Sequence, residues 1–319
     1  MPSGRIIRPG STDFALRNAG AAFAAEWTPY FRFHLPLVPA ILGLMNPLMM
    51  SILCGLIIGA LPTLGADTQP PPKKLAAKSR KEMSFDLGGG VKLEMVWILP
   101  GEFEMGSPEN EYGRFDNEGP QHRVRISRGY WMGKYEVTQE QWAQVMWSNP
   151  SKFKGARNPV DQVSWNDCQE FVTKLNQTTA DKRPAGTGSF GLPTEAEWEY
   201  ACRAGTTTRF NVGDTDADLD RAGWINSNSG KTSHPVGEKQ ANAWGLYDMH
   251  GNVMEWCQDW YGSYDSEAVT DPTGPTSETY RVLRDGDWNH MHRCCRSAVR
   301  INGGPAFAGE IFGLRVVCR

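Results

Sequence analysis

Charge of one sign is what this chain lacks most clearly: 33 Lys and Arg against 36 Asp and Glu leave a formal net charge of −3. That balance excludes a dominantly basic nucleic-acid-binding surface and an acidic, disordered chain. No internal repeat is present, and strands do not alternate with helices as a parallel βαβ sheet requires. His122, His234 and His250 have no HExxH or other zinc-ligand spacing around them and read as hydrogen-bonded structural histidines. "TGSFG" at Thr187 lacks the first glycine of a nucleophile elbow, and Gly88 to Gly90 lack the strand-turn-helix setting of a phosphate loop.

Long apolar runs are equally scarce. Leu48 to Leu61 gives about 14 apolar residues, enough for a signal-peptide core and short of the roughly 20 of a membrane-spanning helix. Pro36, Pro39 and Pro47 interrupt anything longer. Residues 1–66 therefore read as a secretory signal cleaved near Ala66, or as an uncleaved N-terminal anchor. The long stretch carrying Arg5, Arg8, Arg17 and Arg32 leaves Met45 or Met49 as alternative starts. Residues 67–83 form a Pro/Lys-rich linker and 84–319 the folded domain. The domain is expected to be exported, to the periplasm, the envelope or the medium, and to touch membrane only if the first segment stays uncleaved. Of the 12 tryptophans, all but Trp27 lie after residue 90, which puts the aromatic packing mass in that domain.

Of the 7 cysteines, Cys54 falls in the apolar run, leaving Cys168, Cys202, Cys257, Cys294, Cys295 and Cys318. A domain of this size can build a core without staples, so one or two bridges at most are expected. Cys294 and Cys295 are poor partners for each other, because neighbouring Cα atoms stand about 3.8 Å apart and disulfides need roughly 4.4–6.8 Å. One of them is expected to pair elsewhere, with Cys257 or Cys318, while the other stays buried.

Local patterning suggests small sheets and short helices. His122, Val124 and Ile126 alternate with Arg123, Arg125 and Ser127, the period of a half-buried strand. Thr138 with Gln141 and Thr194 with Glu197 have the spacing of a capping box. Ser164 caps a further helix, in which Cys168, Phe171, Val172 and Leu175 share one face. Beyond Gly205 the sequence predicts long ordered loops, then short strands at "TYRVLRDGDW", "CCRSAVR" and "FGLRVVC".

The segments "FEMGS", "EGPQHRV", "KYEVTQEQW", "NPVDQVSWNDCQEF", "LPTEAEWEYACRAG", "HPVGEKQANAWGLYDMHGNVMEWCQDWY", "DPTGP", "CRSAVR" and "FGLRVV" occur in this order. From about Val91 to Arg319 the chain thereby resembles the sulfatase-modifying-factor family, whose namesake is the formylglycine-generating enzyme. The resemblance implies an α+β fold, a C-type lectin-like fold variant rich in irregular loops. It also implies a copper- and oxygen-dependent oxidase, which turns a cysteine in a Cys-x-Pro-x-Arg segment of a sulfatase-like polypeptide into formylglycine. "YDMHGNVMEW" resembles the family's structural calcium loop, with side-chain oxygens from Asp248 and Glu255 and carbonyls from Gly251 and Val253. Arg296, Arg300 and Arg315 lie in the closing motifs and read as ion-pair partners of the many carboxylates.

Against the family's pattern, the segment "DGDWNHMHRCCRSAVR" (Asp285 to Arg300) is altered. His290 stands where the first copper cysteine belongs, and either Cys295 or His292 takes the second place, depending on where a three-residue shortening is put. Asp287 replaces the serine beside the oxygen site. If the segment is extended, His290, His292 and Cys294 share a face, and such a set suits zinc or copper(II) better than a two-thiolate copper(I) centre. The catalytic candidates are therefore Asp287, His290, His292, Cys294 and Cys295, with calcium as structural metal and copper or zinc at the altered centre. Two readings remain open: an oxidoreductase-like family member with weak or absent formylglycine-generating activity, and a non-catalytic lectin-like module that binds a protein or glycan, with no nucleic-acid partner.

Overall fold

The computed structural model describes residues 81–184 and 186–319. The expected signal or anchor (1–66), Cys54 and the linker up to residue 80 lie outside the described residues. Strand β1 (Glu82–Gly88) begins in the last residues read as linker and pairs antiparallel with β2 (Val91–Ile98). Gly88, Gly89 and Gly90 connect them with φ of 102°, 61° and 84°, a left-handed run that any Cβ would strain. The glycine triplet is thus a hairpin turn.

Three sheets follow from short strands. The first runs β1, β2, β5 (Tyr130–Gly133), β12 (Val317–Cys318), β6 (Phe190–Gly191). The second runs β10 (Arg300–Gly303), β9 (Arg281–Arg284), β7 (Met254–Trp260), β11 (Phe312–Gly313). The third runs β3 (Gly101–Met105), β4 (His122–Ile126), β8 (Val269–Thr270). In β4 the residues His122, Val124 and Ile126 are buried and Arg123 and Arg125 exposed, as the alternation requires. "FGLRVVC" splits between sheets: β11 lies parallel to β7, whereas β12 sits between β5 and β6.

Helices α1 (Gln139–Met146), α2 (Trp165–Thr179) and α3 (Glu195–Arg203) start at Thr138, Ser164 and Thr194, each hydroxyl accepting the N3 amide. The α2 face of Cys168, Phe171, Val172 and Leu175 is buried, and Phe171 stacks on Trp142 at 4.9 Å. A further helix, α4 (Asp216–Ala222), occupies the region expected to be loop; Thr215 and Asp218 form its capping box. "CCRSAVR" is not a strand: a 3-10 turn covers His292–Cys294, and pairing resumes only at Arg300. Among the described residues no helix is long and apolar enough to cross a membrane.

The expected disulfides do not form: Cys168, Cys202, Cys257, Cys294, Cys295 and Cys318 are all free. For the pairings expected of Cys295 the packing gives the reason, since it belongs to a different hydrophobic cluster from Cys257 and from Cys318.

Candidate functional site

All nine residues of α3 are buried, including Glu195, Glu197, Glu199 and Arg203. Burying charge requires partners, and the closing strands supply them. Glu199 pairs with Arg203 and Arg284, Glu195 with Arg300, and Glu255 with Arg315. Burial pushes Glu195 up, but Arg300 and Arg284 outweigh it and leave the carboxyl below its ordinary range. Arg296 grips Glu118 through two nitrogens and reaches Glu111 and the Gly113 carbonyl. This last pair ties the altered segment to the loop before β4.

Within that segment Asp287 is fully buried. Its Oδ2 lies 2.6 Å from His290 Nδ1, and its Oδ1 accepts the Asn289 amide at 2.7 Å. Burial alone would lower the His290 pKa; the hydrogen bond and charge of Asp287 outweigh that and raise it. His292 turns the other way, toward α4, with Nε2 3.2 Å from Asp220 Oδ1. The Cys294 thiol is half-buried, and desolvation raises its pKa although Arg293 and Arg296 pull against it. Cys295 is fully buried, its thiol pushed well up by burial and then by Asp285 and Asp287. A Cβ at Gly286 would lie 2.2 Å from Cys295 Sγ, so only glycine admits that sulfur.

The turn between His290 and Cys294 removes the shared face that an extended segment would have given. His290 and His292 hold separate carboxylates, and neither cysteine has an environment that favours the thiolate. These residues do not fit a two-thiolate copper(I) centre, and they do not converge as a His-His-Cys set. His250 is also accounted for: its Nδ1 donates to the Cys295 carbonyl at 2.8 Å and its Nε2 accepts the Asn211 amide at 2.9 Å. Burial lowers its pKa to about 4, so it is a neutral brace. His122 and His234 likewise bond the carbonyls of Pro120 and Ser229.

The loop expected to hold calcium is a nest of buried carboxylates. Asp248 adopts φ 55°, its Oδ2 accepts the Gly237 amide at 2.7 Å, and its Oδ1 has no partner among the described residues. Glu255 gives both oxygens to Arg315 and also accepts Trp198 Nε1 at 2.7 Å. The Gly251 amide donates to Asp285 at 2.7 Å and the Val253 amide to Glu136 at 3.0 Å. Burial pushes Asp248 up to about 6 and drives Glu136 and Asp285 well above the carboxylate range. The crowding of carboxyl oxygens around the single Arg315 and the Asp248 oxygen without a partner among the described residues suit a hard cation in donor type. Glu255, however, is already committed, and no group of three His, Cys, Asp or Glu side chains among the described residues is arranged to hold a metal.

Residues 90–319 match a family described as the sulfatase-modifying factor enzyme 1-like domain. The chain belongs to this family. It is 33% identical over 290 residues to the formylglycine-generating enzyme of Bos taurus, covering 70% of the chain and 74% of that protein. It is 31% identical over 202 residues to the chaperone protein LppX of Paenibacillus barcinonensis, covering 50% and 69%. Serine/threonine-protein kinase pkn1 of Chlamydia caviae is 32% identical over 241 residues and covers 70% of the chain, but the chain spans only 37% of that kinase. Among solved structures, Treponema denticola variable protein 1 superimposes with a TM-score of 0.68 at 30% identity, over 75% of this chain and 99% of that one. PvdO from Pseudomonas aeruginosa does so at 0.63 and 26%, over 74% and 98%. The fold is accordingly the family's α+β, C-type lectin-like variant.

Within the sulfatase-modifying-factor frame, the Glu255-paired Arg315 donates to the Asp248 backbone carbonyl at 3.3 Å, and the structure joins Asp287 to His290. It does not join His290 to His292 or to a thiolate pair. Sequence reasoning missed the carboxylate partners Asp216 and Asp220, although Thr215 and Asp218 mark their helix with a capping-box spacing.

Proposed function

We propose that this sulfatase-modifying-factor domain is an exported binding module, which presents its irregular loops to a protein or glycan, and not a formylglycine-forming oxidase. The observation that carries this reading is the divergence of His290 and His292 toward Asp287 and Asp220; burial, which pushes the pKa values of both adjacent cysteines up, supports it. The chemistry of the namesake requires two thiolates that act together on soft copper(I). Incubating the purified protein with copper, oxygen and a Cys-x-Pro-x-Arg peptide should yield no aldehyde. Conversion that depends on Cys294 or Cys295 would overturn the reading.

Calcium enters this proposal as a stiffener, drawn to Asp248 and to the carbonyls of Gly251 and Val253. Bound there, it would offset part of the buried negative charge. Chelation should then lower the melting temperature and added calcium restore it; an unchanged melting curve argues against the ion.

A second reading rests on one contact. Asp287 fixes the His290 ring through Nδ1, and the side chain is 33% exposed, so Nε2 is left to serve as a metal ligand or proton carrier. Stoichiometric zinc or copper that is lost in H290A would favour this reading.

A further inference from the structure

A cavity of about 900 Å³ opens between the loop 262–278 and the N-terminal end of α3. Its lining includes Glu195, Asp259, Asp265, Glu267, Glu278 and Arg300. The guanidinium of Arg300 is already taken, bonded to both Glu195 oxygens at 2.6 and 2.8 Å and stacked on Tyr264. Asp259 is different: only 3% exposed, it accepts the Glu195 amide at 3.0 Å and has no ion-pair partner among the described residues. Burial, and then the charge of Glu195, raise its pKa to about 8. Its second oxygen lies beside Gly274, where φ is 70° and a Cβ would stand 2.8 Å from the Trp260 carbonyl and 3.4 Å from Asp259 Oδ1. Asp265, Glu267 and Glu278 also line the cavity and are exposed.

A buried carboxyl that keeps its proton for want of an ion-pair partner among the described residues, in a large cavity walled by further carboxylates, is arranged to give up that proton when positive charge arrives from outside. The volume exceeds what a metal ion requires and suits an organic cation. We propose that this cavity binds a ligand bearing an ammonium or guanidinium group, with Asp259 as the buried anchor and Asp265, Glu267 and Glu278 as the outer ring. A free polyamine and a lysine or arginine side chain of a polypeptide carry the same chemistry. The inference rests on the binding-module reading and names the ligand class at a site separate from the altered segment.

Calorimetric titration of the full chain with spermidine, and with a short Lys/Arg peptide beside its lysine-acetylated, arginine-free counterpart, tests it. At least one cation should bind, and high salt should weaken it. D259N should reduce affinity by at least about tenfold. The double variant E267Q/E278Q, altered only on exposed loop positions, should reduce it severalfold and guards against a folding defect in D259N. Spermidine binding alone assigns the site to free polyamines, and peptide binding assigns it to a polypeptide. Binding of neither, equal binding of the acetylated peptide, or full affinity in both variants overturns the inference. Those failures with no aldehyde formed remove the cavity alone, whereas aldehyde formation removes the binding-module reading whatever the cavity does.

Discussion

Replacing Arg296 by methionine isolates the buried pair that anchors the altered segment. Arg296 and Glu118 are both 0% exposed in their side chains. The guanidinium also serves Glu111, the Gly113 carbonyl and the Arg293 carbonyl at 3.0 Å. After the substitution Glu118 keeps only the Ser107 hydroxyl at 2.7 Å and the Phe115 amide at 3.1 Å. A buried carboxylate stripped of its cation costs about 3–5 kcal/mol. For a domain of this size that corresponds to a melting temperature lower by roughly 6–20 °C. The sign with pH follows from proton linkage. The orphaned carboxylate favours its protonated form in the folded variant, so the folded state binds more protons than the unfolded chain, and the variant loses stability as pH rises. The penalty should therefore be larger near about pH 8 than near about pH 5. Urea unfolding followed by tryptophan fluorescence measures it. Adding E118Q to R296M removes the orphan charge and should recover part of the loss, with a coupling of the order of 2 kcal/mol. A loss under about 1 kcal/mol, or none of it recovered by E118Q, would refute the argument that this pair holds the segment.

Two other outcomes follow from the same segment. In a proton-carbon NMR titration His290 should titrate above the ordinary histidine value, and D287N should bring it down; an unshifted resonance contradicts the contact with Asp287. Thiol labelling should modify Cys294 first in the native protein and reach Cys168, Cys202, Cys257, Cys295 and Cys318 only on unfolding. A denatured, unreduced sample that yields fewer reactive thiols would mean that bridges form after all.

Capping boxes, the β4 alternation and the buried face of α2 were legible because each is a local pattern: the residues that satisfy one another lie three or four apart, or on alternate sides. The ordered motifs similarly carried the family, since their sequence order survives whatever the loops do between them. Helix α4 escaped because its seven residues sit among Asn, Gly and Asp, where a short capping box is easily read as loop chemistry. "CCRSAVR" misled for a different reason. Its apolar and cysteine positions fit a strand, but Arg296 must reach Glu118, 178 positions away, and a turn delivers it there.

By itself the sequence determined the family, the fold class and the presence of an unusual histidine- and cysteine-rich segment. Only the tertiary structure decided what those residues face. Asp287 and Asp220 draw the two histidines apart, Cys295 sits in a different hydrophobic cluster from Cys257 and Cys318, and Asp259 is left as a buried carboxyl without an ion-pair partner among the described residues. The physical reason is the same in each case: the free energy of a buried charge or thiol is set by neighbours that arrive from distant parts of the chain.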